Sequence, residues 1–261
     1  MTSHCGDDMK TVDPDMGGSA GVRLLPAHVT GSVAGRCLPA VVAVPLGATS
    51  AFIVRDRSVL LVDTGNPGDE ATILAAMKQA GIRRDEVSLI LVTHGHPESY
   101  GSADALRELT GAPVAVHEAD AGAVRLGIGG LRFPARVVPT LIRLVRERRI
   151  DSGPGGVEPD IIIGGIADLG AFGIRGRIFP TPGHTPGSVS VLIAGGTAIV
   201  GDLLSAIVPG GRPRLPFRMD DPAAARRSLL DLLAFGPEQI HAARGGPWRG
   251  AAVLRWFGNG R

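Results

Sequence analysis

The chain has 261 residues, 44% of them hydrophobic and 20% charged, a length that favours one large domain and a composition that excludes low-complexity disorder, although 38 glycines and 20 prolines make it rich in turns. Basic and acidic side chains nearly cancel, 27 against 25, and Lys10 and Lys78 are the only lysines, so the basic set is almost all arginine with no dense run that would mark a nucleic-acid surface. Cys5 and Cys37 are too few for a disulfide framework or a cysteine-built zinc cluster, and no apolar run approaches the roughly 18 residues of a membrane span.

Residues 1–20 lack both a basic start and an apolar stretch, so they read as a disordered tail and not as a signal peptide, which gives the expectation of a cytoplasmic protein. Residues 21–261 are expected to form the domain. Short β-branched runs at 22–25, 40–44, 50–54 and 59–62 read as consecutive antiparallel strands, the last ending in Asp63-Thr64-Gly65. Helical spacing over 69–80 stops at Gly81. The continuous apolar run 87–93 predicts a strand buried on both faces, and it leads straight into His94. A helix at 101–110, a strand at 114–116 and a helix at 119–126 then give the alternation of a layered α/β protein.

The segment 127–158 interrupts that rhythm as an insertion, in which 137–149 sets Leu141, Leu144 and Val145 opposite a cluster of arginines. This reads as an amphipathic helix covering one edge of the core, with a lid over a pocket as the sharper alternative and membrane-surface binding third. The second half predicts strands at 161–163, 174–179, 189–193, 198–200 and 239–242, and helices at 222–234 and 251–257. The two similar halves suggest two sheets packed face to face with helices outside.

Three strand ends carry the chemistry. Thr93-His94-Gly95-His96 follows the first, and two histidines at i and i+2 in an extended loop can face one ion. The loop around His184 follows the second, and Asp202 the third. Three imidazoles with a carboxylate suit zinc, iron or manganese, and the absence of cysteine ligands argues against a purely structural zinc. The remaining histidines, His4, His28, His117 and His241, belong to no motif. Arg212, Arg214 and Arg218 lie in a Pro-rich loop and read as solvated surface.

The Asp63-Thr64-Gly65 turn, the LILVTHGH run, the PTPGHTPGS loop, Gly201-Asp202 and the closing GGP turn arrive in the order of the metallo-β-lactamase-fold superfamily, which the chain resembles over most of 40–250. The resemblance implies an α/β fold, a four-layer αββα sandwich with a metal site at one edge of the two sheets. The family pattern His-x-His-x-Asp-His is here His94-Gly95-His96-Pro97-Glu98-Ser99. Glu98 therefore stands at the aspartate that binds the second metal, Ser99 at a histidine ligand, and Arg244 at the remaining second-metal ligand, with His241 a minor substitute.

This implies a single ion on His94, His96 and His184 with Asp202 close by, and an Arg244 that pairs with Glu98 or Asp202 in place of the missing cation. Glu98 and Asp202 are the candidate general bases, with a purely structural part equally open for Glu98. Asp63, Thr93 and Thr185 are expected to buttress the metal loops, and Ser99 and Tyr100 to line the pocket. The activity implied is hydrolysis of a small ester, thioester, lactone or amide by a zinc site. The alternatives are a mononuclear Fe2+ oxygenase resembling persulfide dioxygenases, which would use His94, His184 and Asp202, and a degenerate member acting as a binding protein, lyase or isomerase. The expected partner is a small-molecule substrate, with neither nucleic acid nor membrane, and a homodimer is left open.

Overall fold

A computed structural model describes residues 38–128, 155–208 and 210–258. The tail 1–20, the strand expected at 22–25, the helix expected at 137–149 and most of the insertion lie outside the described residues.

Alternation along the strands dictates the layering. In β2 (Thr49–Arg55), Phe52 and Val54 face one way, and Ala51 and Ile53 the other. Such a strand needs apolar cover on both sides. The first sheet runs β1 (Ala40–Leu46), β2, β3 (Val59–Val62), β4 (Val87–Leu91), β5 (Val114–His117), β6 (Ile161–Ile163). Its first three strands are antiparallel and the rest pair in parallel. Parallel neighbours require crossovers. These are supplied by α1 (Glu70–Gln79), by α2 (Pro97–Tyr100) with α3 (Ala103–Thr110), and, before the undescribed stretch, by α4 (Glu118–Leu126). Ile73, Met77, Leu106 and Val124 of these helices pack on Ile53, Leu61, Ile90 and Val116.

The second sheet runs β7 (Ala167–Asp168), β8 (Gly176–Pro180), β9 (Val189–Ile193), β10 (Thr197–Ile199), β11 (Gln239–His241), β12 (Trp248–Arg249), in spatial order β12-β11-β10-β9-β8-β7. Phe52, Leu60 and Leu89 of the first sheet meet Ile178, Val191 and Ile199 of the second in the central core. On the outer face, Leu229, Leu232 and Val253 of α5 (Pro222–Ala234) and α6 (Gly250–Gly258) cover Ala198, Ile240 and Trp248. Three cores between four layers make this the αββα sandwich. One edge is stitched by Asp56, whose carboxylate accepts from the Arg175 backbone N–H at 2.8 Å and from its guanidinium Nη2 at 2.6 Å.

The element boundaries differ from expectation for local reasons. The strand expected to reach residue 93 ends at Leu91, because Thr93 N–H turns away from the sheet to the Asp63 carboxylate. The helix expected at 101–110 begins two residues later, as α3, because Ser102 (φ −105°, ψ 11°) is not helical, and the short α2, which was not expected, opens at Pro97 directly after His96. Ile174, expected in β8, closes the turn before it by bonding Leu169. The two-residue strands β7 and β12 are too short to leave a periodic signal.

Candidate metal centre

All four carboxyl-end turns that build the site leave the sheets at one edge. His94 and His96 follow β4, His184 lies in the loop joining β8 to β9, Asp202 follows β10 and Arg244 follows β11. The three imidazoles meet as a tripod: ring centroids lie 4.6 to 4.9 Å apart and each pair of planes is within a few degrees of perpendicular. His184 Nε2 stands 3.0 Å from His96 Nδ1. Nitrogens of all three rings come within 4.8 Å of one another, as do His94, Glu98 and Asp202 ligand atoms.

Burial sets the charge of this cluster. It pushes the His94 pKa well below its ordinary value, with His184 and His96 adding to the effect, and pushes His184 down to about 4. Burial also lowers His96, against the opposing pull of Glu98 and Asp120. The tripod is therefore neutral near pH 7, the protonation state in which an imidazole can ligate an ion. His94 Nδ1 is engaged by Thr93 Oγ1 and by Ser99 Oγ, each at 3.0 Å, and that second oxygen lies 3.4 Å from Nε2.

Where the resemblance implies a second metal, the structure places a guanidinium. Arg244 Nη1 donates to Asp202 Oδ2 at 2.9 Å and Nη2 to Glu98 Oε1 at 3.1 Å, one fork bridging both carboxylates. Burial raises the Asp202 pKa to about 6, with Arg244 pulling down and Glu98 pushing up. For Glu98, burial pushes up, but its own backbone N–H, His96 and Arg244 outweigh it and the pKa falls. Asp202 Oδ1 is buried and has no hydrogen-bond partner, as is His184 Nδ1. Three neutral imidazoles with a buried carboxylate beside them, its Oδ2 3.6 Å from His184 Nε2 and its Oδ1 unbonded among the described residues, are the donor set of a cation site. The residues present fit a metal ion.

The supporting contacts are specific. Asp63, at φ 60°, accepts from Thr93 N–H at 2.8 Å and from Thr93 Oγ1 at 2.7 Å, and burial raises its own pKa to about 7. Gly201 lies so close to Thr93 that a Cβ there would stand 2.5 Å from Oγ1, so only glycine lets β10 end beside β4. Thr185 Oγ1 donates to Asp120. Tyr100 is packed in the core under the helices and borders a cavity with Pro67 and Asp104. His117 caps α4, accepting from Ala119 N–H at 3.3 Å. His241 stacks edge-on to Phe52 at 5.7 Å and lies near Gln239, so it does not substitute for a ligand.

The family model described as the metallo-beta-lactamase superfamily matches residues 43–242. The chain belongs to that superfamily. Among curated proteins it is similar to the uncharacterized protein YobT of Bacillus subtilis (strain 168), 31% identical over 153 residues, 58% of this chain and 59% of that one. It is also similar to the hydroxyacylglutathione hydrolase of Albidiferax ferrireducens (strain ATCC BAA-621 / DSM 15236 / T118), 32% identical over 130 residues, half of this chain and 35% of that one. The chain thus spans between 35% and 59% of the length of these two relatives. The solved BLEG-1 B3 metallo-beta-lactamase shares the fold, with a TM-score of 0.59 at 23% identity over 82% of this chain and 95% of that one.

Sequence reading of this superfamily member missed one buried residue. Asp120, in the first turn of α4, accepts from Gly95 N–H at 2.7 Å, from Gly187 N–H at 3.0 Å and from Thr185. It holds the His94/His96 loop and the His184 loop together. A Cβ on Gly187 would meet the Asp120 carboxyl carbon at 2.5 Å, so the glycine pair flanking the motif was the available signal. Among the described residues no helix is long and apolar enough to cross a membrane.

Proposed function

We propose that this protein is a metal-dependent hydrolase of small thioesters or esters, with a single zinc ion held by His94, His96 and His184 beside Asp202. The observation that carries this reading is the neutral imidazole tripod with Asp202 beside it, Oδ2 3.6 Å from His184 Nε2, while Arg244 takes the place of a second cation. The similarity to a hydroxyacylglutathione hydrolase favours a thioester among the small acyl substrates.

When bound, the ion supplies a Lewis acid for the scissile carbonyl and lowers the pKa of water toward neutrality. The chain does the rest. Asp202, with a pKa near 6, is ionised at neutral pH yet basic enough to take a proton from water, so it is the better matched of the two candidate bases. Glu98, held low by its own backbone N–H, His96 and Arg244, orients the guanidinium, and the guanidinium holds Asp202 through Oδ2 while Oδ1 has no partner among the described residues. Ser99 and Thr93 hold the His94 ring, and Asp63 holds Thr93.

The test is metal analysis of protein purified without added metal, paired with thioester hydrolysis. One zinc per chain is expected, and His94→Ala is expected to lose metal and at least about 100-fold in kcat/KM together. Iron with oxygen uptake and no hydrolysis would favour the oxygenase reading. No metal and no hydrolysis would favour a binding protein, and full hydrolysis in His94→Ala would remove a His94-bound metal from the reaction.

A further inference from the structure

The loop after β10 that reads in sequence as solvated surface builds a pocket against the metal centre. Ser205 N–H donates to Arg214 O and Arg214 N–H returns to Ser205 O, both at 2.9 Å, while Ala206 N–H donates to Arg244 O at 2.8 Å. The loop is thereby pinned to the chain that carries Arg244. Its far end is pinned to the His184 loop, since Asp220 N–H donates to the carbonyls of Gly183 at 3.0 Å and His184 at 3.2 Å. Between them lies a cavity of about 320 Å3 bordered by Ile207, Pro216, Phe217, Arg214, Arg218 and Arg244. Arg244 borders this cavity and also bridges Glu98 and Asp202 of the metal centre, so the cavity adjoins that centre through one side chain.

Two features of this cavity ask for a ligand. Its walls are apolar and exposed: Phe217 is 87% and Ile207 75% accessible, an unfavourable arrangement for large apolar side chains unless something covers them. Its cations are unequal. Arg244 is neutralised by Glu98 and Asp202, whereas Arg214 and Arg218 have no ion pair among the described residues, and Arg214 Nε reaches only its neighbour's carbonyl at 3.4 Å. The Arg214 guanidinium lies 3.4 Å over the Phe217 ring, which fixes its plane and leaves its N–H edge free. A planar fork held in this way matches a carboxylate or a phosphate-like group.

We infer that this cavity is the substrate pocket and takes a small acyl compound that joins an apolar body, packed on Ile207 and Phe217, to an anionic group received by Arg214 and Arg218. The inference rests on the hydrolase reading for the fate of the ligand but not for its binding.

Two measurements keep the pocket and the reaction separable. The first is calorimetric binding of phenylacetate, benzylphosphonate and the neutral phenylacetamide to the protein as isolated, to the double variant Arg214→Met/Arg218→Met and to Phe217→Ala, with exposed Arg84→Met as control. Both anions are expected to bind about tenfold more tightly than the amide, and the double variant to abolish that preference while Arg84→Met keeps it. Phe217→Ala should weaken all three ligands alike. A carboxylate preferred over the phosphonate, or the reverse, names the anion the fork prefers. Equal binding of amide and anions, or a preference that survives the double variant because the anions sit on the imidazoles, overturns the pocket. The second is hydrolysis of the benzoyl thioesters of mercaptoacetate and mercaptoacetamide. Turnover with no preference in kcat/KM also counts against the pocket and leaves hydrolysis standing. Anion-selective binding without turnover of either thioester supports the pocket and counts against thioester hydrolysis.

Discussion

Asp63 combines two unfavourable features, a left-handed backbone at a residue with a Cβ and a carboxyl buried without an ion pair. Each costs about 1 kcal/mol or more, so both persist only because something else requires them. The requirement is Thr93, whose N–H and hydroxyl both end on that carboxyl just before the histidine pair. The pH consequence follows from its pKa, near 3.8 in an unfolded chain and about 7 in the fold. The folded state holds this proton more tightly, so the contribution to stability is complete below the unfolded value and is lost as pH rises through about 7. In metal-free protein, Asp63→Asn removes that loss. The gap between wild type and variant in urea unfolding should therefore shift in favour of the variant from about pH 5 to about pH 8, and a gap independent of pH would refute the assignment. The sequence places Asp63 in the family turn, but its backbone angle and protonation are products of burial that no local pattern encodes.

The site is assembled by turns of separate elements, and Asp120 of α4 ties two of them. Its carboxylate receives donors from the loop after β4 and from the loop between β8 and β9, elements of different sheets. Asp120→Ala leaves the N–H groups of Gly95 and Gly187 without an acceptor and leaves the Thr185 hydroxyl only Ser188 Oγ, a cost of about 2–4 kcal/mol, and frees the two histidine loops, with a loss of about 10–100-fold in metal affinity. Asp120→Asn, which keeps one acceptor oxygen, should recover part of both. Urea unfolding and competition with a chromophoric chelator measure the two effects. Metal affinity unchanged in Asp120→Ala would show that the loops hold their shape without the clamp. In the sequence, Asp120 reads as an ordinary first-turn acid at a helix N-terminus, since the partners that make it a clamp lie about 25 and 65 residues away.

Across the whole molecule, the imidazole tripod joins the two halves of the sandwich: His94 and His96 come from the first sheet, and His184 and Asp202 from the second. An ion shared among them cross-links sheets that otherwise meet mainly through apolar side chains. Metal at 100 times its Kd should stabilise the fold by about 2.7 kcal/mol, a rise in Tm of about 5–10 °C that chelation reverses. Scanning calorimetry with and without zinc checks this, and an unchanged Tm would mean that the histidines hold no ion. The sequence by itself determined the alternation of strands and helices and the three histidines of the tripod, because apolar periodicity and strand-end motifs are local properties of the chain. Only the tertiary structure decided that Arg244 bridges Glu98 and Asp202, that Asp120 clamps two loops, and that Arg214 and Phe217 wall a pocket. Each of those depends on residues far apart in the chain meeting where the sheet ends converge, and on the low dielectric there that gives a charge its worth.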